Sequence, residues 1–315
     1  MNGTAGILAV VNPCTLRGTG APLWAAAVAR LPDVDCLMTV GDGADRQRIT
    51  AALAAQRPSL VIAAGGDGTL RAVVSAVLEQ EHASAPAVAI APLGTGNNVA
   101  RALGLRGFRQ DGNGAVDRAV AAIRDGHECR IDVGRVGGEV FVGSFAAGMD
   151  GAILALRNRW RRRAPFGAEL GGYALYLLSC AANLARHRCR AGRVEADDVL
   201  VERPLYNVVV TNTALYAGEF RFDDGGDHSA DGRLDLNVFS SAGHYVREFV
   251  VAWRRHLRHG RGLPVHARPA LRRVARVALA FDRPVPAQLD GEEYPAAARF
   301  EIEVVPQVLR VRVPA

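Results

Sequence analysis

Short apolar runs alternate with alanine-rich helical stretches through the first third of the chain. The strand-like runs are Ile7–Val11, Cys36–Val40, Leu60–Ala64 and Ala87–Ala91, and the helical stretches that follow them are Leu23–Arg30, Arg46–Gln56, Thr69–Leu78 and Asn97–Leu103. Because strands separated by helices form parallel βαβ units, this pattern predicts a parallel α/β domain over residues 1–129. The carboxyl ends of such strands form the ligand crevice, so binding residues are expected in the turns that follow them.

From about residue 130, apolar and polar residues alternate with a period of two, which is typical of antiparallel strands. The predicted strands are Ile131–Val136, Glu139–Phe145, Tyr206–Thr211, Leu234–Phe239, Val274–Phe281 and Ala298–Val304, with helical segments near Ala152–Ala191 and His244–His256. The fold class is therefore α/β with two domains, the second a mostly antiparallel β domain with inserted helices over residues 130–305. A last strand-like segment, Gln307–Val313, can join either domain, so residues 306–315 are candidates to complete the first.

The amino-acid composition excludes several classes of enzyme. The chain has 315 residues, and all 38 of its basic residues are arginines. A Walker A loop, a protein-kinase site and a Schiff-base enzyme each need a lysine, so none of these is expected. The net charge of +6 favours an anionic partner.

Cellular location is inferred from cysteine usage and apolar runs. The five cysteines are scattered without a Cys-x-x-Cys pair, which indicates a reducing compartment and neither disulfides nor a zinc site. The longest apolar stretch, Tyr173 to Ala185, is too short to span a bilayer, and the first residues lack the basic region of a signal peptide. We therefore expect a cytoplasmic protein, soluble or peripherally bound to membrane.

The strongest local signal is a glycine-rich turn between a buried strand and a helix. It contains Gly65, Gly66, Asp67, Gly68 and Thr69. Glycines let the backbone approach a ligand closely, and the following helix directs free N–H groups at an anion. The turn predicts a phosphate cradle without lysine, and the alternative is a tight βα turn with Thr69 as a helix cap.

A second turn at the end of the next strand has the same character. It runs from Pro92 to Asn98 and includes Gly94, Thr95 and Gly96, but it lacks the third glycine of a dinucleotide fingerprint. Asn12 and Thr39, at the ends of the first two strands, extend this polar edge, although each alone is more often a turn residue.

Four segments together resemble the diacylglycerol kinase catalytic family, and in particular its bacterial lipid kinases, which are related to sphingosine and ceramide kinases. The segments are Val11–Pro13, Gly65–Thr69, Pro92–Asn98 and Leu289–Glu292, and the resemblance extends through Ser229–Asp235. Gly-Gly-Asp-Gly-Thr is also shared by NAD kinases, which would be expected to carry a different second turn. The resemblance implies an ATP-dependent kinase that phosphorylates a lipid hydroxyl.

Residue by residue, the resemblance implies roles for three groups. The ATP-binding residues would be Asn12, Thr39, Gly65, Gly66, Asp67, Gly68, Thr69, Arg71, Gly94, Thr95, Gly96 and Asn98. Glu292 would be the proton acceptor and Asp290 its neighbour, which requires the second domain to face the cleft of the first. Mg²⁺ would be held by Asp231 with the backbone carbonyls of His228 and Arg233, and Asp132 would belong to the same acidic network.

Two positions depart from the family pattern. Asn98 stands where an acidic residue, or in one branch of the family an apolar one, is usual, and Arg71-Ala72 stands in place of Asn-Glu. The loss of an acid at position 98 predicts that metal binding depends more on Asp67 and Asp132.

Arginine clusters suggest how an enzyme of this kind would meet its substrate. They lie at Arg157–Arg163, at Arg186–Arg190 on either side of the apolar stretch, and at Arg254–Arg261. Basic residues beside an apolar helix suit an anionic bilayer, and the alternative is a solvated basic face. The basic stretches lack interleaved aromatic residues, so a nucleic-acid partner is not expected. A homodimer remains open, and the alternative functions are an NAD kinase-like phosphotransferase and a nucleotide-binding regulator of lipid metabolism.

Overall fold

The computed structural model describes residues 6–31, 33–80, 85–105, 114–163, 172–222, 229–261 and 272–314. The chain forms two compact units. Unit 1 contains Met1–Val133, Ser229–Gly232 and Val305–Ala315, and unit 2 contains Gly134–His228 and Arg233–Val304.

Unit 1 is built on parallel strands in the order β2-β1-β3-β4, and a segment from near the end of the chain extends the sheet beside β4. The strands are β1 Ile7–Val11, β2 Val34–Met38, β3 Leu60–Gly65 and β4 Ala87–Pro92. The helices are a 3-10 turn at Thr15–Gly18, α1 Gly20–Val28, α2 Asp45–Gln56, α3 Asp67–Leu78, α4 Asn98–Ala102 and α5 Gly114–Asp125. Every residue of β3 and β4 is buried, as their uninterrupted apolar runs require.

Unit 2 is antiparallel in the order β14-β13-β10-β7-β15-β16, and the hairpin β8-β9 pairs with β15. Its strands are β6 Glu139–Phe141, β7 Ser144–Gly148, β8 Arg190–Ala196, β9 Val199–Leu205, β10 Asn207–Thr211, β11 Leu215–Tyr216, β12 Phe220–Arg221, β13 Leu234–Phe239, β14 Arg272–Val274 and β15 Arg276–Leu289. Two strands, β5 His127–Val136 and β16 Glu292–Val313, contribute residues to both units. The helices are α6 Met149–Arg163, α7 Gly172–Arg186 and α8 Ala242–Gly260.

The predicted fold class is confirmed: parallel α/β structure comes first and antiparallel strands with inserted helices follow. One predicted strand, Glu139–Phe145, is wrong, because it is two strands interrupted at Val142 and Gly143. The backbone N–H groups of both residues donate to the carboxylate of Asp290 instead of to a strand.

The predicted strand Val274–Phe281 is divided for a similar reason. The N–H of Ala275 donates to the carboxylate of Asp197 at 3.0 Å, which separates β14 from β15. The predicted helical region near Ala152–Ala191 also ends early, because β8 begins at Arg190.

The last strand-like segment has a defined partner. Val311 pairs with Val88 and Arg312 with Ala89, both in parallel register, so this part of β16 belongs to the sheet of unit 1. The second neighbour of β4 in the sheet is therefore supplied by residues more than two hundred positions later in the sequence.

Candidate functional site

The glycine turn after β3 begins α3 directly. Gly66 is the N-cap of the helix, with an extended backbone, and its carbonyl accepts the N–H of Leu70 at 3.0 Å. Thr69 is buried on the first turn, and its side chain fills the space where a β-carbon on Gly65 would be. The turn therefore presents backbone, not side chains, in front of the helix.

The second glycine turn is bonded directly to the first. The N–H groups of Leu93 and Gly94 both donate to the carbonyl of Gly65 at 3.0 Å. A β-carbon on Gly94 would overlap the Cα of Gly66, and one on Gly66 would lie 3.3 Å from the Cα of Gly94. Gly94 therefore has no room for a side chain and Gly66 has little, and this close approach produces a single surface of backbone atoms from two loops.

Asn97, a residue that the sequence reasoning did not select, holds the second turn together. It adopts a left-handed conformation with φ 50°, which asparagine tolerates better than most residues. Its buried amide accepts the N–H of Gly94 at 3.0 Å and donates to the carbonyls of Pro92 and Gly94 at 3.1 and 2.8 Å. The usable signal was the Asn-Asn pair directly after a Gly-x-Gly turn.

Asp67 joins the two turns through its carboxylate. It accepts the backbone N–H and the side-chain amide of Asn98, both at 3.1 Å, and the N–H of Val99 at 3.4 Å. Burial raises the pKa of Asp67, and these hydrogen bonds act in the opposite direction. Asp67 thus caps α4 in this chain, a structural task that the sequence reasoning did not assign to it.

The other residues predicted to bind nucleotide lie in these turns, in α3, or at the ends of β1 and β2. The amide of Asn12 donates to the hydroxyl of Thr69 at 3.4 Å, and the N–H of Thr39 donates to the carbonyl of Val11 at 2.9 Å. Thr95 is exposed and Arg71 is half-buried on α3. The structure therefore brings Asn12 to the turn directly, whereas it shows Thr39 only at the end of the neighbouring strand.

The predicted metal residues are only partly brought together. Asp132 is fully buried, and its two carboxylate oxygens accept the N–H groups of Gly232 at 2.6 Å and of Gln307 at 2.7 Å. Its own N–H donates to the carbonyl of Ser229 at 2.7 Å. Asp132 therefore anchors the turn on which the exposed Asp231 lies.

Two further metal predictions can be located only in part. His228 lies outside the described residues, and the guanidinium of Arg233 pairs with Asp197 of unit 2 at 3.1 Å. Among the residues that the structure describes, no group of three or more His, Cys, Asp or Glu side chains is arranged to hold a metal ion. A carboxylate with backbone carbonyls is nevertheless the hard-oxygen donor set that Mg²⁺ accepts.

In unit 2 the acidic pair divides into one buried and one exposed side chain. The carboxylate of Asp290 accepts three backbone N–H groups, from Val142 at 2.9 Å and from Gly143 and Ser144 at 2.8 Å. Asp290 itself has φ 49°, at the turn between β15 and β16. Its carboxylate is therefore committed to holding the turn that precedes Glu292.

Glu292 opens onto a cleft of about 400 Å³ in unit 2. The cleft is lined by Arg157, Asn158, Arg161, Arg162, Gly291, Glu292 and Glu293. Asn158 donates to the carboxylate of Glu293 at 2.6 Å, and a guanidinium nitrogen of Arg162 lies 3.8 Å from the same carboxylate. The cleft therefore combines the carboxylates of Glu292 and Glu293 with three arginines, which would attract an anionic ligand.

A second buried carboxylate in unit 2 was missed by sequence reasoning. Asp150, at the start of α6, accepts the hydroxyls of Tyr216 at 2.7 Å and Tyr245 at 2.5 Å and the amide of Asn207 at 2.7 Å. Burial raises its pKa. Its partners lie far apart in the sequence, so no local pattern could have revealed the group.

Comparison with known proteins gives consistent matches along the chain. Residues 6–136 match the model of the diacylglycerol kinase catalytic domain, and residues 143–313 match that of the YegS C-terminal NAD kinase beta sandwich-like domain. A diacylglycerol kinase of Mycobacterium tuberculosis is 33% identical over 250 residues, which are 75% of this chain and 73% of the relative. A "Probable lipid kinase YegS-like" of Stenotrophomonas maltophilia is 28% identical over 88% of this chain and 86% of its own.

The fold has solved counterparts. The crystal structure of a diacylglycerol kinase from Bacillus anthracis matches with a TM-score of 0.67 and 18% identity, over 98% of this chain and 97% of that one. Within the described part of the chain, no helix combines the length and the apolar character needed to cross a bilayer.

Proposed function

Because the chain belongs to the diacylglycerol kinase family of lipid kinases, we propose that it transfers the γ-phosphate of ATP to a hydroxyl of diacylglycerol or of a related glycerolipid or sphingoid base. The observation that carries the proposal is the contact between Gly66 and Gly94, which leaves two loops of bare backbone at the carboxyl ends of β3 and β4. Such a surface can bind the phosphates of ATP, because its backbone N–H groups can take the place of the lysine that this protein lacks.

ATP would bind along the edge formed by the two glycine turns. Gly65, Gly66, Gly68 and Thr69 would contact phosphates, since they start α3 and its positive dipole end. Asn12 would orient Thr69, to which it already donates a hydrogen bond. Asp67 supports this arrangement indirectly, because it ties α4 to the start of α3.

Mg²⁺ would be held by Asp231 with the backbone carbonyls of His228 and Arg233, as the family resemblance implies. When bound, the ion would neutralise charge on the transferred phosphoryl group. The chain's own contribution is the rigid turn: Asp132 fixes it by accepting the N–H of Gly232 and by bonding the carbonyl of Ser229. We propose Asp132 as a positioning residue for this metal-binding turn.

Glu292 would accept the proton of the acceptor hydroxyl. Its side chain is exposed beside Gly291, and Asp290 holds the turn that presents it through three backbone hydrogen bonds. Phosphoryl transfer depends more on positioning and charge stabilisation than on covalent chemistry, so a carboxylate at a fixed place is sufficient for this role.

The lipid would be reached at an anionic membrane surface, which makes the protein a peripheral membrane enzyme. This part of the proposal rests on the arginine-rich end of α6, with Arg161, Arg162 and Arg163 in its last turn, and on Arg186 at the end of α7. Arginines near lipid headgroups each contribute about 1 kcal/mol to binding of an anionic leaflet.

An acceptor panel tests the proposal. Purified protein with radiolabelled ATP and Mg²⁺ would be offered dioleoylglycerol, sphingosine and ceramide in mixed detergent micelles, and NAD in solution. We expect label in a lipid product only when Mg²⁺ is present. NAD is included because the C-terminal half matches an NAD kinase-like sandwich, and label in NAD without any lipid product would overturn the lipid assignment. No transfer to any acceptor would indicate a nucleotide-binding regulator instead.

A further inference from the structure

Helix α8 carries an apolar stripe that faces outward. Val246, Val250, Trp253 and Leu257 follow one another at intervals of four, three and four residues, so they share one narrow face of the helix. All four side chains are exposed, at 44%, 41%, 43% and 39%. The stripe extends for about 16 Å along the helix axis, which is too regular to be a scatter of single surface residues.

A second face of α8, somewhat more than a quarter turn from the stripe, is fixed in the core of unit 2. Tyr245 and Ala252 are buried in an aromatic cluster, and Phe249 packs on Phe222 with ring centroids 5.0 Å apart. The first turn is capped by the hydroxyl of Ser241, which accepts the N–H of His244 at 3.1 Å. Since these contacts hold the helix in one rotation, the apolar stripe cannot turn inward.

A row of arginines runs beside the stripe. Arg247, Arg254 and Arg258 are exposed and lie about a quarter turn around the helix from it. Glu248 is the one acidic residue in the sequence of α8, and its side chain is only 15% exposed and lies 3.3 Å from Arg247. The outward surface of α8 is therefore apolar along one line and cationic along the next.

We propose that α8 is a membrane-docking helix, whose apolar stripe enters the headgroup boundary of an anionic bilayer while its arginine row binds the lipid phosphates. This rests on the proposed lipid kinase function and names the surface that brings the enzyme to its substrate. A helix with an apolar face, Trp at the centre and arginines at the flank has the composition of interfacial helices.

The positive charge of the arginine row on α8 favours an anionic bilayer over a second copy of the chain as the partner of this surface. In a symmetric dimer the same face meets itself, so the arginine row of one copy would approach that of the other. Helix α7 strengthens the choice: Leu177 and Leu178 are exposed at 50% and 55%, and its sequence contains no acidic residue. The inward residue Tyr176 of α7 packs on the same aromatic cluster that fixes α8.

Vesicle sedimentation without ATP tests the proposal. The protein would be mixed with sucrose-loaded vesicles of phosphatidylcholine with 30% phosphatidylglycerol, and with vesicles of phosphatidylcholine alone. We expect binding to the anionic vesicles that weakens as salt is added. The double variant Trp253→Ser/Leu257→Ser should bind at least tenfold more weakly, and Arg254→Gln/Arg258→Gln should lose about fivefold per arginine together with part of the salt dependence.

A matched control uses apolar side chains that are equally exposed elsewhere in unit 2. Val199 and Leu200, at 43% and 48% exposure on β9, would be changed together to serine, and binding should stay within about twofold of wild type. Wild-type binding by the Trp253→Ser/Leu257→Ser variant, or equal loss in the β9 control, would overturn the proposal. A change in sedimentation coefficient of the free protein, with vesicle binding unaltered, would assign the stripe to a second copy instead.

Activity measurements separate this proposal from the kinase proposal. With a short-chain diacylglycerol in detergent micelles, the α8 variants should keep wild-type turnover, whereas with vesicle-borne substrate their turnover should fall with binding. Vesicle binding that depends on α8 in a protein that phosphorylates no lipid would retain the docking surface and reject the kinase function.

Discussion

The side-chain amide and the backbone N–H of Asn98 both donate to the carboxylate of Asp67, at 3.1 Å. The family resemblance leads one to expect an acid at position 98, where it would add negative charge for metal binding. In this chain the amide instead donates a hydrogen bond to the carboxylate of Asp67, and this bond links α4 to the start of α3. Asn98 is therefore a compensated departure from the family pattern.

Restoring the acid tests that interpretation. The Asn98→Asp variant places two carboxylates side by side in a half-buried site, so its free energy of unfolding without Mg²⁺ should fall by about 1–3 kcal/mol. Urea unfolding with and without Mg²⁺ measures the effect. Asn98→Ala, which removes one donor without adding charge, should lose less, and equal stability of the aspartate and wild-type proteins would contradict the prediction.

The close approach of the two glycine turns predicts that alanine at position 94 destabilises the protein more than alanine at position 66. Gly94→Ala should destabilise the protein by about 1–3 kcal/mol and weaken ATP binding, because its methyl group would overlap Gly66 and lie 2.7 Å from the Asn97 side-chain oxygen. Gly66→Ala meets one atom at 3.3 Å and should cost less stability. Thermal unfolding and calorimetric ATP titration measure both. Gly243→Ala, at a position with open space, is the control.

The acidic pair predicts opposite phenotypes for two acid-to-amide changes. Asp290→Asn should lower the free energy of unfolding by about 2–4 kcal/mol, because an amide cannot accept three backbone N–H groups as a carboxylate does. Glu292→Gln should change stability by less than about 0.5 kcal/mol but reduce turnover by roughly 10²–10⁴. Steady-state kinetics and denaturant unfolding of both variants decide, and unchanged turnover in Glu292→Gln would remove it as the base.

Asp150 predicts a pH-dependent stability difference. Because burial raises its pKa, the folded protein binds the Asp150 proton at a pH where the unfolded chain has released it. The stabilisation from this group is therefore present in acid and is lost as the pH rises from about 4 through the raised pKa. In urea unfolding, the free energy of unfolding of the wild type minus that of Asp150→Asn should be smaller at pH 8 than at pH 5.

Asp42 supplies the control for that experiment. Hydrogen bonds from Arg48 and from the backbone lower the pKa of this surface carboxyl to about 2, so it stays ionised in both states between pH 5 and pH 8. The difference between wild type and Asp42→Asn should be flat over that range. A flat difference for Asp150→Asn as well would contradict the assignment of Asp150 as the titrating group.

The sequence predicted the parts of the site that depend on short-range chemistry. Strand β1 was predicted at its observed bounds, and the turns at Gly65–Thr69 and Pro92–Asn98 were recognised because glycine density and strand ends are local signals. Residues whose role depends on distant partners were not recognised. The capping role of Asp67 requires α4 to be in place, and the environment of Asp150 is assembled from three separate elements.

Side chains that bind backbone also explain the errors in strand prediction. The apolar run Val140–Val142 continues the strand-like pattern past Phe141, but Asp290, far away in sequence, accepts the N–H groups of Val142 and Gly143. A pattern of hydrophobicity does not record which acceptor a backbone donor will find. The metal ligands, the domain boundaries and the homodimer stay predictions.

Strand β16 has a consequence for biosynthesis. Its segment at Val311 and Arg312 pairs with β4, and Arg310 donates to the carbonyl of Ala85 at 2.7 Å. During translation, β4 leaves the ribosome long before this partner exists, so one edge of the nascent sheet is open while unit 2 is being made. Unit 1 therefore reaches its native state only after β16 has been synthesised, and nascent chains stalled before residue 305 should be the forms that depend most on chaperones.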